Sequence, residues 1–297
     1  MQPDEIRHYN NEIVYMLSRF LSDAPRAIDI RDVRHIANSC RVSPDYAYAS
    51  LLAGLIGLET EGRDRDFFRN YFIPMVHALD ADRFRKNSYY RHISIKESES
   101  GYVRLTHQEI APAEGFICGD FTVKADGRLI PSLGFFDSAF SYPAVLEKGR
   151  EWMTLMPNET ITTDPCAKAA SGHVLTFGLG LGYFIYRALE NPAVADVTVV
   201  ELSADVIRLF EREILPQFPK RDRVKIVQDD AFAFIADSSK MKPFDYIFAD
   251  IWHDVGDGKP LYLKFKTFEE QYPGKTFAYW IEDSIKCYLD PSLWPAG

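Results

Sequence analysis

The chain is short of cysteine, of long apolar runs and of positive charge, and each shortage removes a class of function. Its four cysteines among 297 residues, Cys40, Cys118, Cys166 and Cys287, stand far apart and form no C-x-x-C pair. That argues against a disulfide scaffold and a structural zinc site, and for a reducing, cytoplasmic setting with no metal. The longest apolar stretch, Leu51 to Leu58, is too short to span a bilayer. The opening Met1 to Arg7 has no basic-then-apolar leader pattern, so a soluble protein without a membrane partner is expected. With Lys+Arg 34 against Asp+Glu 43 the formal charge is −9, which repels phosphate backbones and disfavours nucleic acid as a partner. A local run of Arg208, Arg212, Lys220, Arg221, Arg223 and Lys225 carries no interleaved aromatics and is read as a solvated face. Repeats and low-complexity stretches are absent too.

What the chain does have is a glycine turn in the right company. Val174 to Phe177 reads as a buried strand running into Gly178, Gly180 and Gly182, with a helix through Tyr183 to Leu189 behind it. Glycines on alternate positions let backbone approach a ligand, and the helix start presents free N–H groups there. A second apolar run, Asp196 to Val200, ends in Glu201, 19 residues after Gly182. An acid so placed suits ribose hydroxyls. Ser203 is a helix cap, Val224 to Gln228 gives a third strand ending in Asp229 and Asp230, and a short amphipathic helix follows from Phe232 to Ile235. Phe244 to Ala249 gives a fourth strand, ending in Asp250. Strands alternating with helices predict a doubly wound, mostly parallel Rossmann-like α/β sheet with ligands at the carboxyl ends of its strands. A dinucleotide turn would place glycine where Tyr183 stands, so an NAD-dependent oxidoreductase is a distant reading.

Gly178-Leu-Gly-Leu-Gly182, Glu201, Asp230-Ala231 and Asp250 together resemble the consecutive motifs of the class I S-adenosylmethionine-dependent methyltransferase fold, most of all its spermidine-synthase-like branch. The resemblance covers residues 173 to 263 well and 115 to 172 loosely. It implies S-adenosylmethionine as cofactor, with its methionine part and ribose against the glycine turn. It further implies Glu201 on the ribose diol, Asp230 and Ala231 on the adenine edge, and Asp250 facing the reacting centre. Leu179 and Leu202 complete the expected cofactor contacts. Departures are equally specific. Thr176 and Leu181 stand where relatives carry an acid, and Asp250 and Asp254 are four positions apart where spermidine synthases show acids three apart. Only 47 residues follow Asp250, so the sheet is expected to be shortened at that edge or completed by N-terminal strands.

The remainder is organised around this domain. A chain with 46% hydrophobic residues buries a sizeable core. Residues 1–90 read as helical, with helices over Ile6 to Leu21, from the Ser43-Pro44 start to Leu58, and over Asp64 to Ala78. His8, His35 and His77 lie there as structural or surface residues. Residues 91–150 read as a small β-hairpin segment and linker, with strands at Tyr102 to Leu105 and Ile117 to Lys124 and a turn at Ala125 to Arg128. Residues 151–297 form the cofactor domain. Phe135 to Tyr142 and Trp152 to Pro157 approach the glycine turn in sequence, either as packing or as walls of an acceptor site. In the last segment Phe277, Trp280, Ile281, Ile285, Tyr288 and Leu289 fall on one helical stripe, with a strand from Phe277 to Ile281 as competitor.

Methyl transfer to a small or peptide-like acceptor is the function expected, with Asp250 and His253 as catalytic candidates. Aminopropyl transfer and a non-catalytic cofactor-binding module are the alternatives, and a homodimer stays open beside a monomer.

Overall fold

The computed structural model describes residues 1–295, in two compact units interleaved along the chain. One comprises Met1–Phe84, Glu109–Ser141 and the segment from Lys286; the other comprises Arg85–Gln108 and Tyr142–Ile285.

The first unit is led by helices whose starts are written in the sequence. Pro3–Asp23 buries Ile13, Leu17 and Phe20 on one stripe. Pro44–Leu55 begins where the Ser43 hydroxyl accepts the Tyr46 N–H at 3.2 Å. Ser43→Ala should cost about 1 kcal/mol, read as a lower urea midpoint at unchanged slope. The helix expected over 64–78 stops early. Helical turns run from Arg65 to Met75, through a wide π segment at Phe68–Phe72, and Val76–Leu79 is a strand. Pro74 withholds a helical N–H, and the β-branched Val76 instead pairs in parallel with Leu133. His77 therefore lies on a strand. Leu133–Phe136 is the middle strand of this three-stranded sheet, with Phe116–Ile117 on its other side. The strand expected over 117–124 divides in two, and its second part, Thr122–Val123, forms the anticipated hairpin with Leu129–Ile130.

This unit is pinned by one polar residue. Asn10 is fully buried. Its amide donates to the carbonyls of Gly127 (3.0 Å) and Leu293 (2.7 Å) and accepts from the Tyr71 hydroxyl (3.0 Å) and the Leu129 N–H (2.8 Å). Two donors and two acceptors are all an asparagine side chain offers, so its burial leaves nothing unpaired.

The second unit holds a five-stranded sheet: β1 (Gly172–Phe177), β2 (Val194–Glu201), β3 (Val224–Gln228), β4 (Tyr246–Ala249) and β5 (Thr276–Tyr279). The spatial order is 3-2-1-4-5 and every pairing is parallel. This is the doubly wound α/β arrangement, ending at its fifth strand. Completion by N-terminal strands does not occur among the described residues. The helix expected across 277–289 is corrected as well. Thr276–Tyr279 pairs with β4, and only Glu282–Leu289 is helical. Ile281 lies between them at φ +47°, a left-handed backbone that β-branched residues rarely adopt, and it breaks the apolar stripe into two elements.

A four-stranded sheet accompanies it, with Ser98–Ser100, Val103–Ile110, Phe140–Glu147 and Arg150–Thr154 in that order. Its last two strands form a hairpin. Lys148 (φ +50°) and Gly149 (φ +80°) supply the paired left-handed residues of the tight turn. The basic run is neutralised locally, as a solvated face requires. Arg212 pairs with Glu213, and Arg208 bonds Ser100 and pairs with Asp205. Among the described residues no helix is long and apolar enough to cross a membrane.

Candidate functional site

Gly178, Gly180 and Gly182 all sit at positive φ, +97°, +47° and +73°. Their reasons differ. A Cβ at Gly178 would lie 1.9 Å from the Asp250 carbonyl oxygen, and one at Gly182 would lie 2.3 Å from the Phe210 ring. Those two are glycines because the protein itself closes on them. A Cβ at Gly180 would lie 1.7 Å from the Met153 sulfur, a flexible side chain that can move away. Gly182 then precedes the helix Tyr183–Glu190.

Parallel pairing lines up the strand ends. The Glu201 carboxylate accepts the Leu179 N–H of the turn at 3.1 Å and the Ser203 N–H at 2.7 Å. Burial raises its pKa and the nearby charge of Glu147 adds to that, while N–H donors from Ser203, Leu179 and Leu202 oppose them. Three N–H donors leave the carboxylate one of its four lone pairs for a further donor. Leu202 follows with 68% of its surface exposed, unusual for a large apolar side chain at a strand end. One register step away, the Asp229 N–H donates to the Glu201 carbonyl. Asp230 caps the helix Ala231–Ala236, its Oδ1 accepting from Phe232 (2.9 Å) and Ala233 (2.8 Å) and its Oδ2 left uncommitted. Asp229 lies outside the cap: its carboxylate pairs with Lys240 at 2.8 Å and accepts the Asp230 N–H at 2.9 Å. Glu201, Leu202, Asp230 and Ala231 thus form one edge able to hold a nucleoside.

On the other side of β1 the chemistry changes. The Asp250 N–H bonds the Phe177 carbonyl, which docks its residue beside the turn. No described residue donates a hydrogen bond to the Asp250 carboxyl, and burial pushes its pKa up to about 7. Its neighbour is Glu159, on the helix Pro157–Ala169, only 7% exposed and bonded by the Thr163 hydroxyl. Burial, then the Asp250 charge, holds Glu159 well above the usual carboxylate range. Two adjacent acids in a dry site cannot both ionise cheaply, so they share protons. Asn158 Oδ1 and the indole nitrogen of the buried Trp252 also lack partners among the described residues. Thr162 on the same helix accepts from the Trp280 indole at 2.9 Å, which fixes the end of β5.

Glu159 escaped the sequence reading. Its signal was a carboxylate in a threonine-rich helix with no apolar stripe, 19 residues before Gly178. His253 lies elsewhere in character: it is half-exposed, with Nδ1 held by Asp257 at 2.8 Å and its ring edge-on to Trp152 at 4.3 Å. Of the aromatics approaching the turn, Phe135, Phe136 and Phe140 are buried in the first unit's core, whereas Trp152 is 47% exposed.

No curated protein matches the chain. Residues 155–287 match the spermine/spermidine synthase domain family. Among solved structures, similarity extends to spermidine synthase from Thermotoga maritima, at 15% identity over 62% of this chain and 55% of that one, with a TM-score of 0.33. It also extends to the C-terminal domain of precorrin-6Y C5,15-methyltransferase from Rhodobacter capsulatus, at 20% identity over 40% of this chain and 58% of that one, with a TM-score of 0.30. A third is MNMC2 from Aquifex aeolicus, at 18% identity over 51% of this chain and 55% of that one, with a TM-score of 0.30. The chain spans between 55% and 58% of the length of these three structures. Residues 155–287 are thus similar to the spermine/spermidine synthase domain family and contain a five-stranded, all-parallel α/β sheet.

Proposed function

We propose that this protein is an S-adenosylmethionine-dependent transferase that methylates an amine on a small or peptide-like acceptor. The observation that carries the reading is the acid pair of Glu159 and Asp250, beside the glycine turn and with a carboxyl short of donors. When bound, the cofactor supplies an activated methyl group whose transfer needs little covalent help from the protein. Asp250 accepts the proton that an ammonium must lose before its nitrogen lone pair can attack. Its pKa of about 7 keeps that exchange balanced near neutral pH. Glu159 stays protonated and can donate, Glu201 holds the ribose diol, and Asp230, Ala231 and the exposed Leu202 receive the adenine. His253, tied to Asp257, serves to close the site's rim. Residues 151–285 act as the cofactor domain, the segment from Lys286 belonging to the first unit, and the four free cysteines suit a reducing, cytoplasmic compartment.

Calorimetric titration with S-adenosylmethionine, its decarboxylated form and NAD tests the cofactor. Glu201→Gln should weaken S-adenosylmethionine by roughly 10- to 100-fold, the worth of one or two charge-assisted hydrogen bonds. Equal affinity in both proteins would remove Glu201 from the cofactor site. Aminopropyl transfer is the second reading, favoured by the family matched over residues 155–287. Leu181, whose side chain is completely buried, weighs against it by offering no carboxylate to the turn. Polyamine formation from the decarboxylated cofactor and putrescine would decide in its favour.

A further inference from the structure

The turn is filled by a side chain with the chemistry of its expected ligand. The Met153 sulfur accepts the Leu181 N–H at 3.0 Å and lies directly over Gly180, its methyl and γ carbons also within 3.3 Å of the position a Cβ would take. Glu201 engages the same turn at Leu179. Leu179 and Leu181 are two residues apart, so their N–H groups lie at most about 7 Å from each other. A nucleoside with its ribose on Glu201 therefore lays its tail where Met153 lies.

The hairpin is shaped to put Met153 there. Val145 pairs with Met153 and Leu146 with Glu151, so Trp152 is an extra, bulged residue on the edge strand Arg150–Thr154. A bulge re-aims side chains and is common beside binding sites. Among the described residues the strand pairs with Phe140–Glu147 alone, so one ladder restrains its displacement. The turn offers the tail no acid, because Leu181 faces the core.

Building on the cofactor assignment above, we propose that Met153 is a specificity-determining residue: its thioether occupies the tail subsite and discriminates nucleosides by the length and charge of the 5′ substituent. A 5′-methylthio nucleoside leaves Met153 in place, whereas S-adenosylmethionine must displace it.

Calorimetry on the full chain with S-adenosylmethionine and 5′-methylthioadenosine tests this in wild type, Met153→Ala and Met153→Leu, with thermal midpoints as the folding control. Met153→Ala should tighten S-adenosylmethionine at least tenfold and leave methylthioadenosine within about twofold. Met153→Leu, which restores bulk without sulfur, should return the ratio of the two affinities toward wild type. An unchanged ratio in a folded Met153→Ala protein that still binds S-adenosylmethionine would overturn the proposal alone. Failure of either nucleoside to bind any of the three proteins would overturn the cofactor assignment, and this inference with it.

Discussion

Exchanging Asp250 for asparagine is expected to lower the rate of methyl transfer by roughly 10²- to 10⁴-fold, the usual worth of a positioned proton acceptor, while S-adenosylmethionine still binds. The pH dependence sharpens the test. Burial raises the Asp250 carboxyl from 3.8 to about 7, so turnover in wild type should climb as pH rises through 7. Glu159 stays protonated and adds no charge there, so Glu159→Gln should leave the midpoint of that limb near 7. A midpoint moved by about one pH unit or more toward acid would show that Glu159 ionises beside Asp250. The same shift has a stability consequence of opposite sense. Between 3.8 and about 7 the folded chain holds more protons at this group than the unfolded chain. Its contribution is therefore fully present below pH 4 and is lost as pH rises toward 7. Asp250→Asn should then raise the thermal midpoint relative to wild type more at pH 8 than at pH 5, by on the order of 1–3 kcal/mol in stability. An equal offset at both pH values would show that Asp250 is not protonated by its surroundings.

Gly178→Ala carries the largest expected stability loss. The added methyl group would sit 1.9 Å from the Asp250 carbonyl oxygen, on a residue at φ +97°. Backbone, not a movable side chain, stands in the way, and left-handed strain is added to the clash. We expect a loss of at least about 3 kcal/mol, or failure to accumulate folded protein. Gly180→Ala makes the contrast. Its obstacle is the thioether of Met153, so Gly180→Ala combined with Met153→Ala should recover most of the stability that Gly180→Ala loses. Chemical denaturation of the single and double variants reads this directly, and absence of recovery would mean that the turn resists a methyl group for backbone reasons at both positions.

The contrast between these glycines shows what the sequence can and cannot carry. Four strand ends bearing glycine or carboxylate, separated by helix-length segments, fix a parallel sheet and its ligand-bearing edge, because each strand must point its carboxyl end the same way. Caps are similarly local: Ser43 and Asp230 state their helix starts within three residues. Partnerships across the chain are another matter. Glu159 gains its significance only from Asp250, across the helix-to-sheet packing, and nothing near it in sequence signals that meeting. Met153 looked like one more apolar residue before the glycine turn, since a β-bulge leaves no mark in composition. The stretch after Thr276 satisfied helical spacing because an apolar run that short fits either period. Pairing with β4 decided it.

Asn10 has a consequence for how the molecule is made. Its amide needs the carbonyl of Leu293, 283 residues further along the chain. A ribosome releases the first helix long before that partner exists, so during synthesis this asparagine waits with its hydrogen-bonding capacity met by water or by transient contacts. Sequence separation on this scale slows closure. The first unit can therefore complete this contact only after Leu293 has been made, although its helices emerge first.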